Sequence, residues 1–476
     1  MAQQLTDLDD SPQRVFKLSF ELPLVRRVLN IGTWVMLAMI TQFFVNYFDT
    51  LMVGYLEGPV ATASQAALGL GMPLFWAVGG FFAAIGVGAQ AMVARRYAEG
   101  DLPRAGHAAY NAFVLAVVLG IAGGVFGYYI TPPGIDFLAS AGPEQEQLGV
   151  TYTQIRMMGV PGMVVTFALK AFFDALGRTW VHLYAALVMN FANILMNYLL
   201  IFGNEALGIP RLELAGAAIA SAASTYMGMA IMFAITFKKE MRTAYRIYSS
   251  KLDFEILSRI TKLLIPSGFA TVILMAGFAL FMKFVGDIDA LRNDGTNTLT
   301  AATKAIMDTT ALCFMPAIAF GTATATAVSQ SLGAGKPNLA ARYGWESVRV
   351  GFCAALVVGA LFLLIPEQII GLLAPNDPAV RIAAAPSLRI VVLGLPMMVV
   401  GLILAQALYG AGANNFVALM EFGLHFGCLV PLTWFLGPHL GYGLEGVWIA
   451  AAVYTNLLGI SMGIKFYGKS WRAIRL

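Results

Sequence analysis

Asp49 lies near the end of an apolar run that carries no other charge, about four residues before a glycine-led loop. A carboxylate at membrane depth is costly and faces protein or water, where it can hold and release a proton. Asn193 and Asn197 are four residues apart in a second apolar run, with Asn190 three residues before Asn193. At that spacing the amides share one helical face. Their oxygens could hydrogen-bond Asp49 or, together with its carboxylate, ligate Na+. Glu421 and His425 share a face in the same way, and a histidine beside an acid can relay protons around neutral pH. Lys170 with Asp174 and Lys304 with Asp308 are oppositely charged at a spacing of four and read as ion pairs, with Lys283 nearby in sequence.

These groups stand out because so little of the chain is charged. Asp, Glu, Lys and Arg make up 12% of the 476 residues, against about a quarter in a soluble domain, and apolar residues make up 59%. Lipid therefore solvates most of the surface, and backbone polar groups must be satisfied inside helices or a closed barrel. The apolar runs are continuous over 20 residues or more, which favours helices over alternating barrel strands. They fall at 28–53, 62–93, 107–131, 150–175, 180–203, 214–237, 262–285, 299–331, 345–372, 386–410, 415–437 and 444–466. The expected fold is an all-α integral membrane protein of about twelve transmembrane helices.

Lys and Arg sort by connection. Arg14, Lys17, Arg26 and Arg27 precede the first run, and Arg95, Arg96 and Arg104 follow the second. Lys238, Lys239, Arg242, Arg246, Lys251, Arg259 and Lys262 follow the sixth, and Lys465, Lys469, Arg472 and Arg475 close the chain. With twelve spans all of these share one side. The other side has few cations (Arg211, Arg292, Arg381) and the acids Asp136, Glu144, Glu146, Asp287, Asp289 and Asp294. The positive-inside rule then puts both termini in the cytoplasm, and the expected location is the plasma (inner) membrane. No cleaved signal peptide is expected, because residues 1–27 are polar and basic. Cys313, Cys353 and Cys428 lie in apolar runs and offer neither a disulfide framework nor metal spacing. No cofactor and no nucleic-acid partner are expected.

A shift of 235 residues superposes features of the two halves. Gly86 falls on Gly321, Gly100 on Gly335, Gly159 on Gly394, Pro161 on Pro396 and Gly177 on Gly412. At a shift of 230, "LAGAAIAS" (214–221) lies over "LEGVWIAA" (444–451). The expected organisation is a tail (1–27), a six-helix lobe (28–237), a basic linker (238–261), a second six-helix lobe (262–466) and a short tail (467–476). Two like-oriented six-helix lobes around a pseudo-twofold axis suit a secondary transporter, with a monomer sufficient for rocking. Pro73, Pro161, Pro266, Pro316, Pro396 and Pro431 interrupt the spans and are candidate kinks. A cleft rich in Met and Phe would suit varied apolar ligands.

"FVNYFDTLMVGYLEG" (44–58), "TAVSQSLGAGKP" (326–337) and the run "LKAFFDALGRTWVHLYAALVMNFANILMNYLLIFG" (169–203) resemble the multidrug and toxic compound extrusion (MATE) family. The likeness is to its NorM-like branch, within the multidrug/oligosaccharidyl-lipid/polysaccharide flippase superfamily. It implies export of small amphipathic, cationic organic compounds driven by H+ or Na+. It also implies coupling at Asp49 with Asn193, Asn197 and Asn190, and it places Lys170 at the family's arginine. Asn197 stands where some members carry Asp. The relatives' acids in helices seven and ten fall near Leu274 or Met275 and near Met397 or Met398, all apolar. By the internal repeat, Asp49 corresponds to Phe281.

A flippase for lipids or lipid-linked saccharides is the alternative within the superfamily. A membrane enzyme would need paired acidic loops, and "DIDALRND" (287–294) has no partner on its own side. A major-facilitator transporter would need an Asp-Arg-x-Gly-Arg loop, which "VARRYAEGDLPRAG" (93–106) does not supply.

Overall fold

The computed structural model describes residues 9–12, 20–56, 59–138, 143–292, 298–373 and 378–476. Arg14, Lys17 and Asp294, and Glu57 and Gly58 at the end of the first motif, lie outside them. Among the described residues the chain is helical, and the β pairing is one isolated bridge between Asn204 and Ile209. Among those residues, ten helices are long and apolar enough to cross a bilayer, or up to twelve when each of two bent pairs counts as one span. The expected all-α membrane architecture of about twelve spans is therefore present.

The first compact unit comprises residues 33–272 with the terminal Leu476. It contains most of α1 (Leu22–Gly54), then α2 (Pro59–Ala83), α3 (Ile85–Ala98), α4 (Leu102–Leu138), α5 (Pro143–Met157), α6 (Val160–Ala175), α7 (Trp180–Phe202), α8 (Glu213–Thr236) and α9 (Lys239–Tyr245). The first part of α10 (Phe254–Arg292) belongs here too, because Ile260, Leu263 and Leu264 pack into the same core as Val93, Val164, Phe172 and Phe173. The chain thus leaves this unit inside α10, beyond the basic connection at 238–261. Helices α7 and α8 lie side by side, as do α2 and α5, and α6 packs on both α3 and α4.

The second unit holds 273–475 together with the described residues up to Gly32. Its helices are the rest of α10, then α11 (Thr298–Gly333), α12 (Pro337–Leu364), α13 (Pro366–Leu373), α14 (Pro378–Val391), α15 (Leu395–Ala411), α16 (Asn414–Leu424), α17 (Val430–Trp434) and α18 (Gly443–Tyr467). The start of α1 joins this unit through polar contacts that span more than 300 residues of sequence. Arg27 donates to Gln330 Oε1 at 2.6 Å and to the Tyr343 hydroxyl at 3.3 Å, and Glu21 pairs with Arg342. Asp10 Oδ1 accepts from the backbone N–H of Leu339, satisfying a donor in the first turn of α12.

The repeat-related residues do the same work in both halves. Gly100 and Gly335 have φ of 83° and 72°, and Gly177 and Gly412 have φ of 71° and 87°. These are left-handed turn positions that glycine alone occupies without steric cost. The fourth and tenth expected spans are the two bent pairs, α5 with α6 at 44° and α14 with α15 at 61°. Pro161 and Pro396 stand at the start of α6 and α15, each in the first turn after the bend. The eleventh expected span is less regular than its apolar pattern implies. It contains π-helical turns at His425–Leu429 and Phe435–His439. Pro431 and Pro438 lack the N–H groups that α-helical bonding would need here.

Candidate functional site

Within the first unit, α1, α7 and α8 bring four polar side chains into a closed ring. Asn197 Nδ2 donates to Asp49 Oδ1 at 2.5 Å and to Asn193 Oδ1 at 3.2 Å. Asn193 Nδ2 donates to Ser221 Oγ at 3.3 Å, and Ser221 Oγ donates back to Asp49 Oδ2 at 3.3 Å. Asn193, Asn197 and Ser221 are buried, whereas Asp49 keeps partial exposure. The ring fixes both carboxylate oxygens while leaving the acid accessible. Such a network is held by all its members together.

The ring has unused capacity. Asn197 Oδ1 is buried without a hydrogen-bond partner among the described residues, and so are both amide atoms of Asn190, one turn before Asn193 on α7. Buried amides are ordinarily bonded, so these atoms are suited to an ion, water or ligand. The oxygens of Asp49, Asn193 and Asn197 are the set that could hold Na+. No cluster of three or more His, Cys, Asp or Glu exists among the described residues. A single carboxylate with amide oxygens is therefore the whole cation-holding chemistry of the ring.

Two participants were not singled out from sequence. Ser221 closes the ring but reads as one more small residue in an Ala- and Gly-rich span. Arg156, on α5, acts electrostatically on Asp49 and stacks over Phe75 with its Cζ 4.3 Å from the ring centroid. The signal for Arg156 was present, since it is an ionisable residue inside the fourth apolar run, the same criterion that picks out Asp49.

Lys170 is placed elsewhere, outside the ring. Its Nζ is 2.6 Å from Asp174 Oδ2 one turn further along α6, with side-chain exposures of 15% and 0%. Lys170→Met should lower the thermal unfolding midpoint strongly, by the equivalent of about 3 kcal/mol, because it removes the cation that pairs with a fully buried carboxylate. Asp174→Asn should cost less, since the partly exposed ammonium can reach water. Unfolding in detergent, followed by intrinsic fluorescence, checks both.

In the second unit, Lys304 pairs with Asp308 at 2.9 Å and Lys283 with Asp287 at 3.0 Å, both exposed on their own helices. His425 does meet Glu421, but through the main chain: Nδ1 lies 2.8 Å from the Glu421 carbonyl oxygen. That carbonyl can only accept, so Nδ1 carries the proton there, and Nε2 is left to accept from the Tyr454 hydroxyl at 3.2 Å. His425 is thus anchored on the main chain of the preceding turn and bonded to Tyr454. Phe281, the repeat counterpart of Asp49, is buried edge-to-face against Trp448 at 5.4 Å. The ring of the first unit has no polar counterpart at that position.

The MatE family model matches residues 35–199 and 266–435. A probable multidrug resistance protein NorM from Bacillus cereus is 24% identical over 434 residues, covering 91% of this chain and 92% of that protein. Multidrug resistance protein PmpM from Pseudomonas aeruginosa is 24% identical over 465 residues, covering 95% and 93%. Among solved structures, a MOP superfamily transporter from Pyrococcus furiosus superposes with a TM-score of 0.82 at 19% identity, covering 93% of this chain and 94% of that one. An outward-facing multidrug resistance MATE family transporter gives 0.81 at 20% identity, covering 95% and 98%.

Proposed function

The chain belongs to the MatE family, and on that premise we propose that it is an ion-coupled antiporter exporting small amphipathic, cationic organic compounds. The relatives' names as multidrug resistance proteins support drug export. Export proceeds by alternating access of two six-helix lobes, 28–237 and 262–466, in a monomer of the plasma (inner) membrane with both termini cytoplasmic. The distribution of Lys and Arg supports that orientation.

The observation that carries the coupling is the closed ring on Asp49. The ring holds an intramembrane carboxylate in fixed geometry beside unsatisfied amide groups. We assign H+ as the coupling ion. Asp49 is the ring's one acid, and both its oxygens and Asn193 Oδ1 already accept hydrogen bonds, so a proton, which needs a single oxygen, is taken up with less rearrangement than Na+, which needs several. Asn193, Asn197 and Ser221 position the carboxylate, and Asn190 extends the polar face of α7.

Efflux of a fluorescent organic cation from proteoliposomes, under an imposed pH or Na+ gradient, tests this reading. A pH gradient should drive efflux and a Na+ gradient should not. Efflux driven by Na+ alone would reassign the ion to a site at Asp49, Asn193 and Asn197. No gradient-driven efflux of any of several cations would favour a lipid or lipid-linked saccharide flippase.

A further inference from the structure

The connection after α8 carries a basic cavity that the transport reading does not use. It has a volume of about 610 Å³ and is lined by Phe237, Lys239, Arg242, Thr243, Arg246 and Ser249. It begins one residue after α8 ends at Thr236, so it lies at the membrane–water boundary. The local sequence explains its shape. Met241, Tyr245 and Ile247 turn inward and are buried, with Met241 and Tyr245 in the unit's core, which leaves Lys239, Arg242 and Thr243 on the outer face of α9. Arg246 then takes a left-handed backbone conformation, with φ of 48°, and ends the helix. A non-glycine residue seldom adopts it. The turn brings Arg246 and Ser249 to the cavity that Lys239 and Arg242 line.

The charge there is uncompensated. Among the described residues, Lys239, Arg242 and Arg246 form no ion pair, and no acid lines the cavity. Glu240, the acid of α9, is engaged 2.5 Å from Arg178, whose guanidinium holds that carboxyl below the usual carboxylate range. Three cations and a serine hydroxyl therefore converge as donors with nothing to accept from them. Phe237 adds an apolar edge. Its ring stacks on Tyr248 at 4.5 Å, and half of its surface is exposed at the end of the span.

We propose that this cavity binds a phosphate-bearing anion, supplied by the headgroup of an anionic phospholipid. Guanidinium and ammonium groups recognise phosphate oxygens directly. A free phosphate would use the cations alone. A lipid would also lay its acyl chains along the exposed Phe237 and α8, at whose end the cavity lies.

Titrating the full-length protein in detergent with dioctanoyl phosphatidylglycerol, and following its thermal midpoint, tests the site. Near a membrane surface each cation is worth about fivefold in affinity for an anionic lipid. Arg242→Gln with Arg246→Gln should therefore weaken binding about 25-fold. Arg242→Lys with Arg246→Lys should retain it, as should the exposed control Lys469→Gln. Equal binding by wild type and the double Gln variant would overturn the site. Equal stabilisation by the phosphatidylcholine analogue would overturn charge recognition. Inorganic phosphate matching the lipid at equal concentration would overturn the lipid assignment.

Discussion

Asp49→Asn is expected to fold and reach the membrane like wild type, yet to lose gradient-driven efflux by about 100-fold. The substitution keeps shape and most of the ring. The new amide oxygen can still accept from Asn197 Nδ2, whose bond to Asp49 Oδ1 is 2.5 Å in the wild-type protein. The new amide nitrogen replaces Oδ2 and can donate to Ser221 Oγ, because a hydroxyl both donates and accepts. Stability should therefore change by no more than about 1 kcal/mol. The one property removed is ionisation, and no other carboxylate belongs to the ring. Size-exclusion profiles and thermal midpoints report the fold, and efflux of a fluorescent cation from proteoliposomes reports the coupling. Wild-type efflux in this variant would show that Asp49 is a structural acid.

Gly410→Leu should have a large effect on the fold. Gly410 lies on α15 where that helix crosses α11, and a Cβ placed there would come within 2.8 Å of the Ala325 Cα and 2.9 Å of its carbonyl carbon. The obstacle is backbone, so no side-chain rotation relieves it. In a bilayer, helix association depends on such close approach because lipid supplies no hydrophobic drive between helices. Separating α11 from α15 would forfeit contacts along both, and a loss of about 3 kcal/mol or more is expected. Gly463→Ala on α18 is the matched control: a Cβ there meets nothing within 4 Å, and the change should be neutral or slightly stabilising. Detergent unfolding of the two variants separates these outcomes, and equal midpoints would contradict the packing argument.

What could be read from the amino-acid order was mainly what is local or periodic. Apolar run length placed the spans. The offset of 235 picked out Gly100, Gly177, Gly335 and Gly412, all turn positions, and Pro161 and Pro396, both at bends. The spacing of four placed Asn193 and Asn197 on one face and joined Lys170 to Asp174, since helix geometry alone decides such neighbours. Contacts set by tertiary packing were not legible. The Ser221 bond to Asp49 spans 172 residues, and nothing in an Ala-rich helix distinguishes that serine from a packing residue. The transfer of the start of α1 to the second unit rests on Arg27 and Glu21 meeting partners more than 300 residues away. Glu421 and His425 show where spacing alone stops short. Their spacing correctly placed them together, but side-chain direction and the π-helical turn sent the imidazole to a carbonyl oxygen.

The coupling claim is tested most directly by imposing a substrate gradient alone and recording the ions that move. Proteoliposomes loaded with a pH-sensitive dye, and a parallel set with a Na+-sensitive dye, would receive an external organic cation at equal pH and Na+ on both sides. Antiport through Asp49 predicts proton movement opposite to the substrate in wild type and none in Asp49→Asn. Substrate entry without ion movement in wild type, or unchanged proton movement in the variant, would contradict it.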